Sequence, residues 1–110
     1  MSAFLEDADY SVLTVADGES GLELCREESP QIIITEIDLP GIDGIEVLNS
    51  IKEAYPYSEV IVTSAYNEIE NALKSFRLDA ADFITKPINE DSLMAALERA
   101  KKRYNNQTHL

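Results

Sequence analysis

The sequence predicts an α/β fold built on a doubly wound parallel sheet, and two observations support this. Short β-branched apolar runs, typical of buried strands, occur at residues 11–16, 32–34, 60–63 and 83–85. Segments with apolar residues at helical spacing separate these runs. Strands that alternate with helices imply right-handed crossovers between parallel strands, with helices on both faces of the sheet.

Composition indicates one globular domain. The chain has 110 residues, 45% of them hydrophobic and 27% charged, with a formal net charge of -12. Such a charge repels nucleic acid and anionic membranes, so we expect neither direct nucleic-acid binding nor membrane binding. No apolar run is long enough to span a bilayer and no secretory signal is evident, which favours the cytoplasm. The single cysteine, Cys25, is predicted to pack in the core.

Helices are predicted where turn and cap residues flank the helical spacing. The first is a short helix remnant that begins at Ala3 and ends near Asp9, and the next spans residues 19–28. A helix follows Asp43, with Glu46 completing a capping box. Apolar residues at 69, 72, 73 and 76 predict another helix.

The final helix is predicted to begin after Asn89, a good N-cap. The basic cluster at residues 101–103 is placed in its last turn, where cations meet the negative end of the helix dipole. The domain is predicted to span residues 1–104, with a flexible tail at 105–110. Asp79, before the last strand, tolerates left-handed backbone better than most residues.

Acidic side chains follow the central apolar run at residues 32–34. Glu36 and Asp38 come at or just beyond the carboxyl end of this predicted strand. Ligands of open α/β sheets bind at that edge, so both residues are candidates for a functional site.

Three strings together resemble the receiver domain of bacterial response regulators. They are EIDLPGIDG at 36–44, TSA at 63–65 and DFITKP at 82–87, in that family's order and at its usual spacing. The resemblance covers nearly the whole chain. It implies a flavodoxin-like receiver fold and a regulatory role in two-component signalling (phosphorelay), without an enzymatic activity of its own.

The resemblance also implies the roles of individual residues. A histidine kinase or phosphotransfer protein donates a phosphoryl group to an aspartate after the third strand, with bound Mg²⁺, and Glu36 stands at that position. Ser64 and Lys86 match the hydroxyl and the lysine that grip the phosphate. Phe83 matches the switch aromatic. The last two helices and the last strand are implied to contact the output domain or partner protein.

The loop after the third strand matches the family at several further positions. These positions are Asp38, Pro40, Gly41, Asp43 and Gly44.

The first departure from the family is Glu36 itself. Glutamate is one methylene longer than aspartate, which moves its carboxylate out of register with a donor and a metal placed for the shorter acid. We therefore expect impaired phosphorylation. Two interpretations of Glu36 remain open: it imitates the phosphorylated state by reaching toward Ser64 and Lys86, or it only solvates a strand end and pairs with Lys86.

The second departure is that the family's first strand, and the acidic pair after it, have no counterpart in the sequence. Asp7 and Asp9 lie at the wrong end of the first predicted helix to substitute for that pair. With too few carboxylates for Mg²⁺, no metal site and no cofactor are predicted. The strands that would flank the missing one are expected either to pair directly or to recruit a second chain, giving a homodimer through unpaired sheet edges.

Two alternatives to an impaired receiver remain open. One is a phosphorylation-competent receiver, seen here in truncated or altered form. The other is a small flavodoxin-like protein that binds a cofactor, although the sequence has no glycine-rich phosphate loop and no tryptophan.

Overall fold

A computed structural model gives the fold of the chain. It describes residues 3–7, 10–15, 22–23, 25–27, 30–36, 44–65 and 69–108. The elements in chain order are β1 (Ala3–Asp7), β2 (Tyr10–Val15), β3 (Ile32–Glu36), α1 (Gly44–Ala54), β4 (Glu59–Ser64), α2 (Ile69–Arg77), β5 (Asp82–Thr85) and α3 (Glu90–Thr108). Residues 22–23 and 25–27 are also helical. Among the described helices, none has the length and apolar character needed to cross a bilayer.

The sheet has five strands in the order β1-β2-β3-β4-β5. Strands β2 to β5 run parallel to one another, as the sequence predicts, and their carboxyl ends lie at one edge. This arrangement confirms the α/β class with a parallel sheet. We call the edge where these strands begin the amino edge and the edge where they end the carboxyl edge.

The amino-terminal segment differs from the prediction. Residues from Ala3 to Asp7, expected as a helix remnant, form β1, which pairs antiparallel with β2. Five residues are too few for a stable isolated helix, whereas a strand alongside β2 satisfies the backbone groups on the outer side of β2. The expectation for Ala3, Phe4 and Leu5 was therefore wrong.

Strand β2 pairs directly with β3. Their parallel register matches Val12 with Ile32 and Val15 with Thr35. Of the two arrangements open at the sequence level, the described sheet has the direct pairing. This pairing leaves no gap between β2 and β3 for a second chain to fill. Homodimerisation stays a prediction, but an unfilled gap in the sheet is no longer a reason to expect it.

The core lies on both faces of the sheet. On one face Ile33 packs with α1 residues such as Leu48 and Ile51, and the buried Cys25 joins them, which confirms its packing role. On the other face, α3 residues that include Ala96, Leu97 and Ala100 cover Val12, Ile32 and Ile61. Neighbouring residues of β3 thus bury opposite faces of the sheet, as expected for a strand with helices on both sides.

Helix α2 forms where its spacing predicts, but its apolar residues do not all face the core. Leu73 and Phe76 are about half exposed, at 49% each, whereas Ser75 is fully buried. The helix thus packs on the sheet through the side that carries Ser75.

Helix α3 begins as predicted and ends later than predicted. The Asn89 side chain accepts a hydrogen bond from the Ser92 backbone N–H at 2.8 Å, which confirms the N-cap. The helix continues to Thr108, so residues 105–108, expected as a tail, are helical. The domain boundary at residue 104 stays a prediction. Residues 109–110 lie outside the described part. Because the helix is longer, Lys101, Lys102 and Arg103 are not in its last turn, and the helix-dipole explanation for them was wrong.

Candidate functional site

Three strand ends place the candidate residues together at the carboxyl edge. Glu36, the last residue of β3, pairs in register with Thr63, and Ser64 pairs with Thr85. Lys86 directly follows Thr85. The parallel register therefore brings Glu36, Ser64 and Lys86 to one edge of neighbouring strands, as the sequence predicts.

An ion pair joins the outer two of these strand ends. The Lys86 ammonium contacts the Glu36 carboxylate. The two side chains are 39% and 30% exposed, so water competes for both charges. A pair this exposed adds less than about 1 kcal/mol to stability, which leaves it free to rearrange.

The backbone holds Lys86 over the end of β4. The Lys86 N–H donates to the Ser64 carbonyl at 2.7 Å. The peptide bond from Lys86 to Pro87 is cis. Ser64 is itself fully buried. The lysine that reaches Glu36 is thus anchored by its main chain to the strand that carries the serine.

Phe83 lies in β5, three residues before Lys86. It is half-buried and packs against the core cluster that includes Val62 and Ala80. Its N–H donates to the Asp82 carboxylate at 2.8 Å. The aromatic ring therefore links the strand that leads to Lys86 with the core beneath the sheet.

The loop predicted to belong to the site is only partly described. Asp38, Pro40, Gly41 and Asp43 lie outside the described residues, and Gly44 is the first residue of α1. Glu46 lies in the first turn of α1, where an acid is favourable.

The described residues do not fit a Mg²⁺ site. Mg²⁺ needs several oxygen ligands in octahedral geometry, and no group of three His, Cys, Asp or Glu side chains in the described part could hold a metal ion. The one described carboxylate at the three strand ends, Glu36, is engaged by Lys86.

A second charged cluster, which the sequence interpretation missed, lies at the amino edge. Glu59, the first residue of β4, is fully buried and accepts a bifurcated hydrogen bond from Arg103 Nε, which lies 2.9 and 3.1 Å from its two carboxylate oxygens. Arg103 Nη2 also donates to the Asp79 carboxylate at 2.5 Å. Lys52 Nζ lies 3.9 Å from Glu59 Oε1 and 3.6 Å from Asp79 Oδ2. We call Lys52, Glu59, Asp79 and Arg103 the amino-edge cluster.

The surroundings of this cluster shift two pKa values. Burial raises the pKa of Glu59 above its ordinary 4.5, although Lys52 and Arg103 oppose this effect. Burial by itself would lower the pKa of Arg103, but its contacts with Asp79 and Glu59 outweigh burial and raise it. One sequence signal could have indicated the cluster: a lone acid begins an apolar run at residues 59–62.

Cys25 lies apart from both clusters. Burial raises the pKa of its thiol from 9.0 to about 11, so it stays protonated at neutral pH.

Comparison with known proteins assigns the family. The family described as "Response regulator receiver domain" matches residues 1–98. The chain belongs to the response regulator receiver family. As a receiver domain of two-component systems it is a signalling module, and this assignment leaves the flavodoxin-like cofactor carrier without support.

Individual relatives agree with this assignment. The chain is 30% identical over 103 residues to the DNA-binding transcriptional regulator NtrC of Escherichia coli K12. The aligned region covers 94% of this chain and 22% of NtrC. It is 36% identical over 102 residues to the nitrogen assimilation regulatory protein NtrX of Azorhizobium caulinodans, covering 91% of this chain and 22% of NtrX.

A solved structure agrees as well. The crystal structure of NtrX from Brucella abortus superimposes with a TM-score of 0.79 and 31% identity, covering 86% of this chain and 22% of that one. The receiver domain thus spans about a fifth of the length of the relatives it matches.

Proposed function

We propose that this receiver domain is a protein-interaction switch in a phosphorelay whose acceptor position, Glu36, does not take up a phosphoryl group in the ordinary way. One observation carries the proposal: the Glu36 carboxylate is held by the Lys86 ammonium at the carboxyl edge. The lysine that matches the family's phosphate-gripping position therefore already has an anionic partner.

Two physical effects oppose phosphorylation of Glu36. The longer side chain moves the carboxylate out of in-line register with a donor, and phosphoryl transfer depends on positioning above all. The described residues also offer no set of carboxylates that would hold Mg²⁺ to neutralise charge on the transferring oxygens. The position of the Glu36 carboxylate is the effect that favours impaired transfer over the phosphorylation-competent alternative.

The same contact supports partial imitation of the phosphorylated state. A phosphoryl group in this family would present oxygens to Ser64 and Lys86, and the Glu36 carboxylate presents an oxygen to Lys86. We propose that the Glu36–Lys86 pair replaces part of that interaction, with Phe83 as the aromatic that responds. The domain would then partly adopt its phosphorylated-state conformation without a phosphodonor.

The proposed partners follow from the family. A histidine kinase or phosphotransfer protein is the proposed upstream partner, and an output domain or protein is the downstream one. The proposed contact face comprises α2, β5 and α3, where exposed apolar side chains occur in the described residues. These are Leu73 and Phe76 in α2, Met94 in α3, and Ile88 in the connection between β5 and α3. We call these four residues the partner face. By likeness to NtrC, the proposed output is control of transcription.

A phosphodonor experiment tests the acceptor proposal. The chain is incubated with a small-molecule phosphodonor and Mg²⁺, and its intact mass is measured, with a phosphorylation-competent receiver as the positive control. We expect no stable phosphoryl adduct. An adduct mapped to Glu36 would overturn the proposal and favour the phosphorylation-competent alternative.

A spectroscopic experiment tests the imitation. Amide NMR shifts of residues 63–65 and 82–86 are compared between the wild-type chain and Glu36→Gln, which keeps the length and removes the charge. We expect these shifts to change in E36Q while those of the amino edge stay the same. Unchanged shifts at the carboxyl edge would show that the Glu36–Lys86 pair does not position Ser64 and Phe83.

A further inference from the structure

The Arg103 side chain contacts parts of the molecule that are far apart in sequence. From α3 it donates to Glu59 at the start of β4, to the Ala80 carbonyl at 3.4 Å, and to the carbonyl and carboxylate of Asp79. Asp79 and Ala80 form the turn between α2 and β5. One guanidinium therefore joins the last helix, the sheet and the end of α2.

Lys52 and Gln107 make further contacts in and around the amino-edge cluster. Lys52 Nζ, from α1, donates to the Pro56 and Ser58 carbonyls at 3.0 Å each and faces both Glu59 and Asp79. Gln107 Nε2, one turn after Arg103, donates to Glu59 Oε2 at 3.3 Å. Two acids and two bases balance in formal charge, and the buried Glu59 carboxylate has donors on both oxygens.

Asp79 joins the amino-edge cluster from an unusual backbone conformation. Asp79 has a φ of 68°, in the left-handed region that few non-glycine residues adopt. Glycine would fit this backbone more easily but has no carboxylate. The aspartate is thus placed where its side chain reaches Arg103 and Lys52, although the backbone favours another residue.

From this geometry we infer that Arg103 is a positioning residue that clamps α3 to the end of α2 through Glu59 and Asp79. The clamp fixes the distance between the two helices at the end of the domain opposite Glu36. Because α2 and α3 both carry residues of the partner face, the clamp also sets how that face is presented. This last consequence rests on the proposed function, whereas the clamp itself does not.

Arg103→Lys is the sharpest test. Lysine keeps the positive charge but cannot bind Glu59 and Asp79 at once in the planar geometry of a guanidinium. The matched control is Lys102→Arg, the reverse exchange one position earlier at an exposed site. Amide hydrogen exchange is measured in the full 110-residue chain under native conditions, because it reports local opening segment by segment.

The expected result appears at both ends of the clamp. In R103K, amides of residues 101–108 and 78–81 should exchange about tenfold faster, as expected for the loss of one charge-assisted hydrogen bond. Amides of β3 open with the whole domain, so they should exchange faster only by the loss of global stability, and K102R should match the wild type throughout. Equal rates in R103K and K102R at the two segments, or faster exchange at only one of them, would overturn the clamp.

Asp79→Asn provides a second variant that tests the clamp if R103K does not fold. Asparagine also tolerates the left-handed backbone, and the Asp79 side chain is mostly exposed, so the fold should be kept. We expect faster exchange at both 78–81 and 101–108, although the substitution lies only in the first segment. A change confined to 78–81 would show that the two segments are not coupled. None of these readouts involves phosphoryl transfer, so they are independent of the Glu36 proposal.

Discussion

The two edges of the parallel sheet each hold a glutamate paired with a base, yet their surroundings differ. At the carboxyl edge, Glu36 and Lys86 are both partly exposed. At the amino edge, the Glu59 side chain is fully buried and has Arg103 and Lys52 as partners. Water can replace either partner at the carboxyl edge but cannot reach Glu59. Burial of the carboxylate therefore decides which pair can rearrange and which one anchors the fold.

Arg103→Met tests the anchoring pair and has the largest expected effect. Removing the guanidinium leaves the buried Glu59 carboxylate with Lys52 as its remaining cation, at 3.9 Å. Breaking a buried pair on one side typically costs 3–5 kcal/mol, and we expect about 3 kcal/mol here because Lys52 remains. Urea unfolding, followed by circular dichroism, measures the loss.

Lys102→Met is the matched control for that measurement. It removes the same charge from an exposed neighbouring position on the same helix, so we expect a change within about 0.5 kcal/mol. Similar losses in R103M and K102M would mean that Glu59 is not held by a specific partner, and the contrast between the two edges would disappear.

Thr35→Val tests the packing beneath the carboxyl edge. Thr35 precedes Glu36 and is fully buried, and among the described residues its hydroxyl is the buried side-chain group with no hydrogen-bond partner. Valine has nearly the same shape and no unpaired polar atom, so we expect it to stabilise the fold by about 1 kcal/mol. Thr14→Val, at a half-buried site on β2, should change stability less. A loss of stability in T35V would show that the hydroxyl is hydrogen-bonded.

Such a gain would also bear on the carboxyl edge as a functional region. A buried polar group without a partner is a small local penalty, and the amino edge shows none in the described residues. The region around Glu36 would then be less optimised for stability than the region around Glu59, as is common where a site must move.

The parallel sheet and the carboxyl edge were predictable from the sequence, because both depend on local patterns. The β-branched run before Glu36 predicts a buried strand, and strand ends in a parallel sheet meet at one edge whatever the details of packing. Ser64 and Lys86 were identified by the resemblance to the receiver family, and the same rule places them at this edge. Their register with Glu36 needed no knowledge of side-chain contacts.

The amino-edge cluster and β1 were not predictable in the same way. Arg103 and Glu59 lie 44 positions apart, and no local pattern indicates that they meet. A basic residue near a helix end has a simpler local explanation in the helix dipole, which the longer α3 removes. The segment after Ala3 is too short for periodicity to separate a strand from a helix, so pairing with β2 decided its structure.

Lys86→Met tests the Glu36–Lys86 pair at the carboxyl edge and has the smallest expected effect on stability. Removing this partly exposed ammonium leaves Glu36 accessible to water, which solvates the carboxylate in its place. We expect a change below about 0.5 kcal/mol, and a coupling below about 1 kcal/mol in a double-mutant cycle with Glu36→Gln. Urea unfolding of the four proteins measures both quantities. A loss close to that of R103M would mean that the pair at the carboxyl edge is also an anchor, and a pair held so firmly could not act as the movable part of a switch.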